Sequence, residues 1–200
     1  MASPFPKVFA IQGSVQEQPI VEIDSDLGYS GWMEPPSPDG LPRLEVIERP
    51  PAFDDWAGLL ALLQESFAFM EGRIDPPSSL HSFDAAKLAA KAGEEELVLA
   101  FLDGRLVGCL FAAERDGALY LGKIAVRPEL QGLGIARRMF ALAEAHARAR
   151  GLKALELQAR IELTENHRTF TALGFEKVGV GSHPGFSRPT DVNFRKSLAP

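Results

Sequence analysis

Two hundred residues suffice for one well-packed domain and fall short of two ordinary ones. With 46% hydrophobic and 24% charged residues, the chain has the composition of a soluble globular protein, which excludes pervasive disorder and a membrane protein. No run approaches the ~20 apolar residues of a membrane-spanning helix, and Lys7 precedes only a short apolar patch at 8–11, so no signal peptide is indicated.

A lone cysteine, Cys109, in a strand-like apolar run fits a reducing compartment, and the cytoplasm is the expected location. The formal charge of -6 argues against a polyanionic ligand until it is divided along the chain. Residues 1–42 carry -5, 43–122 carry -7, 123–153 carry +5 and 154–200 carry +1.

In chain order, residues 1–42 hold six acids against one base, and nine of the fifteen prolines fall within the first 51 residues. This reads as an acidic, proline-rich extension preceding a domain over 43–200. Leu44–Glu48 alternates like a strand and stops at Pro50-Pro51. Trp56, Leu59, Leu60, Leu63, Phe67 and Met70 then recur at helical spacing behind Asp54 or Asp55 as cap. A Gly- and Pro-containing loop at 72–80 leads to a shorter helix over 83–91, with Ser82 as its expected cap.

Three strand-like runs follow, Glu96–Leu102, 105–114 and 119–126, separated by Asp103-Gly104 and Asp116-Gly117. Asp-Gly is a strong hairpin signal, because both turn positions tolerate positive φ. After Val126 comes a Gly-rich turn, a helix over 134–150 and a strand over 154–158, a strand-helix-strand crossover. A short helix at 166–173 closed by Gly174, and strands over 176–180 and 191–196, complete the pattern. The fold class is α+β, with a mostly antiparallel mixed sheet flanked by helices and one crossover.

The chemistry concentrates at 123–138. A strand stops at Pro128, and a loop holding Gly132 and Gly134 opens into an amphipathic helix. Glycines let a bulky anion approach backbone N–H groups, and a helix N-terminus adds partial positive charge and unsatisfied donors. The local +5 agrees with a phosphate-bearing ligand. A P-loop would need Lys followed by Ser or Thr where Ile135-Ala136 stand, and a dinucleotide fingerprint would need glycine where Arg137 stands.

The stretch Gln131-Gly132-Leu133-Gly134-Ile135-Ala136 matches the Q/R-x-x-G-x-G/A signature. Two hairpins before it, a Val126-Arg127-Pro128 strand end, a helix after it and an asparagine-containing helix ending Leu173-Gly174-Phe175 supply its context. With these features the chain resembles the GNAT superfamily of N-acetyltransferases over about 44–198, the first 42 residues excepted. The resemblance implies acetyl-CoA as acetyl donor and an amine as acceptor. It implies that the N–H groups of Gln131, Gly132, Leu133, Gly134, Ile135 and Ala136, followed by Arg137, hold the pyrophosphate. Ile124, Ala125 and Val126 would pair with the pantetheine arm, in a gap beside the strand at 154–158, and Asn166 would contact it.

Direct transfer to an amine needs a deprotonated nucleophile, oxyanion stabilisation and a proton for the thiolate. It needs no enzyme cysteine, so Cys109 is expected to be a buried small hydrophobe. Many relatives carry a proton-donating tyrosine three residues before Leu-Gly-Phe; this chain has Phe170 there. Candidate bases are Glu71, Asp75, Glu162 and His183; Tyr120 and Lys123 also lie on the strand entering the motif, Tyr120 more as a packing residue. Loops 73–79 and 182–188 are the expected acceptor side, with Arg73, Ser78, Ser79 and Arg188 as candidate contacts.

The four histidines show no metal-ligand spacing, so no metal is expected. The basic segment is local and poor in aromatics, so neither nucleic acid nor membrane is an expected partner; a homodimer stays open. The alternative to an acetyltransferase is a non-catalytic acyl-CoA-binding or sensor module, motivated by Phe170.

Overall fold

The structure is a computed structural model that describes residues 42–198. Apart from Pro42, the acidic extension expected at 1–42 lies outside the described residues, as do the last two positions. Seven strands form one sheet in the order β1-β2-β3-β4-β5-β7-β6. They are β1 Leu44–Glu48, β2 Glu96–Leu102, β3 Arg105–Arg115, β4 Ala118–Val126, β5 Ala154–Arg160, β6 Glu176–Gly181 and β7 Asp191–Ser197. All neighbours are antiparallel except β4 and β5. Four helices, α1 Trp56–Phe67, α2 Ala85–Glu94, α3 Ile135–Ala149 and α4 Thr164–Ala172, flank the sheet. The α+β class, the mixed sheet and the single crossover β4-α3-β5 are as the sequence predicts.

Local chemistry accounts for these elements. Asp103 and Gly104 (φ +48° and +80°), like Asp116 and Gly117 (+48° and +74°), take positive φ at both turn positions, as two-residue hairpins require. The Asp55 carboxylate accepts from Gly58 N–H at 2.9 Å and starts α1, whose pattern continues past Phe67 as a 3₁₀ turn, Ala68–Met70. At α2 the expectation of a Ser82 cap is corrected. Asp84 caps it, accepting from Lys87 N–H at 2.8 Å, because Ser82 itself sits inside a 3₁₀ turn, Ser79–Ser82, whose first residues Ser78 caps. The helix therefore starts two residues late and runs on to Glu94. Gly151 (φ +69°) closes α3, with Leu152 N–H bonded to Ala147 O at 2.9 Å.

The core lies on both faces of the sheet. On one, Met139, Phe140, Ala143 and Ala147 of α3 pack against Leu110, Leu119, Leu121, Leu155 and Leu157. On the other, Leu59, Leu62 and Leu63 of α1 and Leu88 of α2 pack against Leu97, Leu99, Phe101 and Phe111. Strand β2 is buried on both faces, so its run Glu96–Leu102 reads as nearly continuous hydrophobics. Helices α1 and α2 contact β2, β3 and β4, so the same face of β5 and β7 carries a polar row, Glu156, Gln158 and Arg160 opposite Arg195, Asn193 and Asp191.

Cys109 is fully buried, its Sγ 3.6 Å from Lys123 O. Burial pushes its thiol up to about 12, so almost no thiolate forms near neutrality. The native protein is expected to leave a thiol reagent such as DTNB unreacted at about pH 8, releasing one equivalent only on denaturation; rapid native labelling would contradict this packing.

Glu144 of α3 ties that helix to β7 through Lys196 Nζ at 2.7 Å, and also accepts from Arg148 at 2.9 Å. The Lys196 hydrogen bond foremost, and Arg148 with it, hold the carboxyl below its ordinary 4.5. Its stabilisation is therefore complete above the unfolded value and is lost as pH falls through the folded one. Glu144→Gln should lower stability in denaturant at neutral pH, with the deficit closing as pH falls from about 5 to about 3. An equal deficit at both ends would contradict the linkage.

Candidate active site

The site begins where β4 leaves β5. Their parallel pairing runs only from Ala118↔Ala154 to Leu121↔Leu157. On its other side β4 keeps pairing with β3, but between Phe111↔Gly122 and Cys109↔Ala125 it carries two residues, Lys123 and Ile124, against Leu110 alone. This is a bulge, and Lys123 takes φ +49° in it. Beyond Leu121, β4 thus bends away and exposes one backbone edge. Arg127 N–H bonds to Val107 O of β3 at 2.9 Å, so by antiparallel alternation Val126 turns its N–H and C=O away from β3. Its carbonyl accepts from Ser66 Oγ and Gln131 Nε2, both at 3.2 Å; its N–H faces the gap.

A cavity of about 320 Å³ fills this gap. Its floor is the split itself, Leu121 to Val126 with Gln158 to Arg160, and its apolar wall is Phe67, Phe69, Met70, Ile74, Leu163 and Phe170. Phe170 packs its ring against Phe140, Phe175 and Phe194, with centroids 5.7 to 6.3 Å apart, and offers no proton. Asn166 lines the cavity, and its Oδ1 is buried without a hydrogen-bond partner. At the end of β4 the chain passes Gln131 and enters α3 at Gly134 (φ +80°), where no side chain caps the helix and no acid occupies its first turn. Gly132, Leu133, Gly134, Arg137 and Arg138 are exposed, Ala136 is half-buried and Ile135 is buried.

Of the other expected residues, Ser78, Ser79 and His183 line the cavity. Glu71 does not; it pairs with His81 at 3.0 Å in an exposed position. Asp75, Glu162 and Arg188 come together beside the cavity. Arg188 Nη2 reaches Asp75 Oδ2 at 2.5 Å and Asp75 O at 3.0 Å, and Asp75 N–H donates to Glu162 Oε1 at 3.2 Å. Arg73 pairs with Glu165 of α4 and lies over Phe69. Both arginines that the sequence offered to an acceptor thus tie loops together. Among the described residues, no three His, Cys, Asp or Glu side chains are grouped as metal ligands would be.

Sequence reasoning missed the cavity residues Arg160 and Asp191, and also Lys91, Glu95 and Arg115. With Leu155, Leu157 and Ala159 turned inward, Glu156, Gln158 and Arg160 share the other face; ending the strand at Gln158 hid Arg160. His183 Nδ1 lies 2.9 Å from Asp191 Oδ2 and 2.7 Å from Thr190 Oγ1. The Thr190 hydroxyl donates to Asp191 at 2.9 Å, so the ring proton is assigned to Nδ1 and Nε2 keeps its lone pair. Arg160 Nη1 is 3.3 Å from Nδ1 and 3.2 Å from Nε2. An atom nearly equidistant from both nitrogens at that range lies over the ring face, not along either lone pair.

Tyr120 faces the cavity with its hydroxyl 3.3 Å from Gln158 Oε1 and the Arg115 guanidinium 4.0 Å over its ring. Burial raises its phenol pKa, which the Arg115 charge partly offsets. Lys123 Nζ donates to Ser79 Oγ at 3.2 Å and sits 4.4 Å from the Phe83 ring. Burial lowers its pKa, and the neighbouring Lys91 ammonium lowers it further.

Known proteins share this architecture. The Acetyltransferase (GNAT) family matches residues 56–175. A mycothiol acetyltransferase of Cellulomonas flavigena is 32% identical over 96 residues, covering 42% of this chain and 27% of that protein. The chain thus spans about a quarter of the length of that curated relative. The PaiA N-acetyltransferase of Thermoplasma acidophilum, solved in complex with coenzyme A, superposes with a TM-score of 0.64 at 17% identity, covering 78% of this chain and 99% of that one. The ribosomal-protein-S18-alanine N-acetyltransferase of Escherichia coli gives 0.60 at 15% identity, covering 79% and 96%. With a family match across 56–175 and the same fold in both solved structures, the chain belongs to the GNAT acetyltransferase family.

Proposed function

We propose that the protein transfers an acetyl group from acetyl-CoA to a primary amine of a small molecule or peptide, by direct transfer in a ternary complex. The observation that carries this reading is the continuous path from the open edge of β4, through Gln131, to the uncapped start of α3. Such an end presents N–H donors and partial positive charge to an anion. Arg137 and Arg138 add exposed cations that have no ion-pair partner among the described residues.

These residues fit the cofactor. Gln131, Gly132, Leu133, Gly134, Ile135 and Ala136 would hold its diphosphate through backbone N–H groups, with Arg137 beside them. Ile124, Ala125 and Val126 would pair along its amide-bearing arm, and the partnerless Asn166 Oδ1 would accept from an amide N–H of that arm. Acetyl-CoA, when bound, supplies the acetyl group as an activated thioester. The apolar wall from Phe67 to Phe170 excludes water from the transfer.

His183 is the proton acceptor. Its Nδ1–H is fixed by Asp191 and Thr190, which leaves Nε2 to take the proton an attacking amine must lose. Asp75 and Glu162 are engaged with Arg188 and a backbone N–H, and Glu71 with His81, so none of the three competes as well. Phe170 gives no proton, whereas the Tyr120 phenol, its pKa raised by burial, keeps one available in the same cavity. The mycothiol acetyltransferase relative, also named for acetyl transfer, agrees with the group transferred.

Calorimetric titration should show acetyl-CoA binding in the micromolar range, and the double charge reversal Arg137→Glu with Arg138→Glu should weaken it about tenfold or more. No binding at millimolar acetyl-CoA would overturn the reading. Once an acceptor is in hand, His183→Gln should cost about 10²-fold or more in kcat with acetyl-CoA affinity unchanged. An unchanged kcat would remove His183 as the base.

A further inference from the structure

The charges around the cavity do not cancel. Four cations line it, Lys91, Arg115, Lys123 and Arg160, against two carboxylates, Glu95 and Asp191. Both carboxylates are taken. Glu95 pairs with Lys91, and Asp191 accepts from His183 and Thr190 with Arg160 Nε at 3.9 Å. Arg160 spends a further N–H on the Pro76 carbonyl at 2.7 Å. Arg115 and Lys123 are left over. Among the described residues neither has a carboxylate at ion-pair distance; their contacts are the Tyr120 ring for Arg115, and Ser79 Oγ and the Phe83 ring for Lys123.

Lys123 carries a second, independent mark. It occupies φ +49°, a backbone conformation costly for a lysine and free for a glycine. Gly122 pairs with Phe111 on the α1–α2 side, so regular alternation would turn the next side chain into the α3-side core. The bulge instead presents the Lys123 ammonium to the cavity, where it meets Ser79 and Phe83. Strain of this kind is concentrated where a side chain is used.

Resting on the acetyltransferase reading, we propose that Lys123 and Arg115 bind an anionic group of the acceptor, so that the preferred acceptors are amines that also carry a carboxylate or a phosphate. The anion adds to the partial compensation that Glu95 gives Lys123 for its burial and for the Lys91 repulsion. Both cations line the cavity that His183 also lines, which favours acceptors whose anionic group stands apart from the amine that enters toward His183.

The test uses the full chain, acetyl-CoA and matched acceptor pairs in a thiol-release assay. The pairs are dipeptides as free acids and as C-terminal amides, and O-phosphoethanolamine against ethanolamine. At least one anionic member should exceed its neutral partner about tenfold or more in kcat/KM, the scale of a charge-assisted hydrogen bond. Which pair shows the preference tells carboxylate from phosphate. Lys123→Gln should cut the preference several-fold, lowering the anionic rate more than the neutral one, and Lys123→Arg should keep it. A merely structural lysine would lower both rates together.

Neutral partners used as well as anionic ones, a preference undiminished in Lys123→Gln, or acetyl-CoA binding with no turnover on any anionic acceptor would each overturn the inference while leaving cofactor binding intact. Absence of acetyl-CoA binding in the same preparation would instead overturn the acetyltransferase reading.

Discussion

Between Gly122 and Ala125, strand β4 places two residues opposite one on β3, and the positive φ of Lys123 is what this bulge demands. The open edge of β4 and the cavity beside it both lie at that irregularity. A regular β4 would continue its parallel pairing with β5 past Leu157 and close the sheet, with no edge and no cavity. Because β3 still holds β4 on the other side, through Cys109↔Ala125 and Gly108↔Val126, the split costs only the pairing that the gap withholds. Ser66 and Gln131 satisfy the Val126 carbonyl, so the open edge is partly paid for from within and presents a donor to whatever enters.

The same bend aims the chain into α3. Helix and strand thus supply one continuous surface of N–H donors; of the bases over 123–153, Arg137 and Arg138 stand in the first turn of α3, whereas Arg148 and Arg150 lie at its far end, paired with Glu144 and Glu96. Beside the cavity, loops 73–79 and 182–188 are fastened by ion pairs, Arg73 to Glu165 and Arg188 to Asp75, whose side chains do not line it. The polar residues that face the cavity include Gln158, Arg160 and Asp191 of the uncovered row on β5 and β7, together with Arg115, Tyr120 and Lys123.

Much of this was legible in the sequence. Hairpins marked by Asp-Gly, helical spacing in α1 and α3, and the turn at Gly132 and Gly134 are local signals, set by backbone sterics and by periodicity, and they place the fold and the glycine loop. What was not legible depends on contacts between distant segments. Arg160 meets His183 and Asp191 only after β5 and β7 pair, and Arg188 finds Asp75 across 113 positions. The α2 cap shifted from Ser82 to Asp84 because a 3₁₀ turn, a short element with weak periodicity, took up the serine. Lys123 is legible as a strand lysine able to reach the site, but its backbone conformation is not, since a bulge is a property of two strands in register and leaves no mark on one.

The central claim is that the split between β4 and β5, with the start of α3, is the cleft in which acetyl-CoA lies. Amide hydrogen exchange on the full chain, with and without acetyl-CoA, tests it most directly. The account predicts slowed exchange at 124–126 and at 132–137, with β6 unaffected. Unchanged exchange in both segments under saturating acetyl-CoA, or protection confined to β6 and β7, would contradict it.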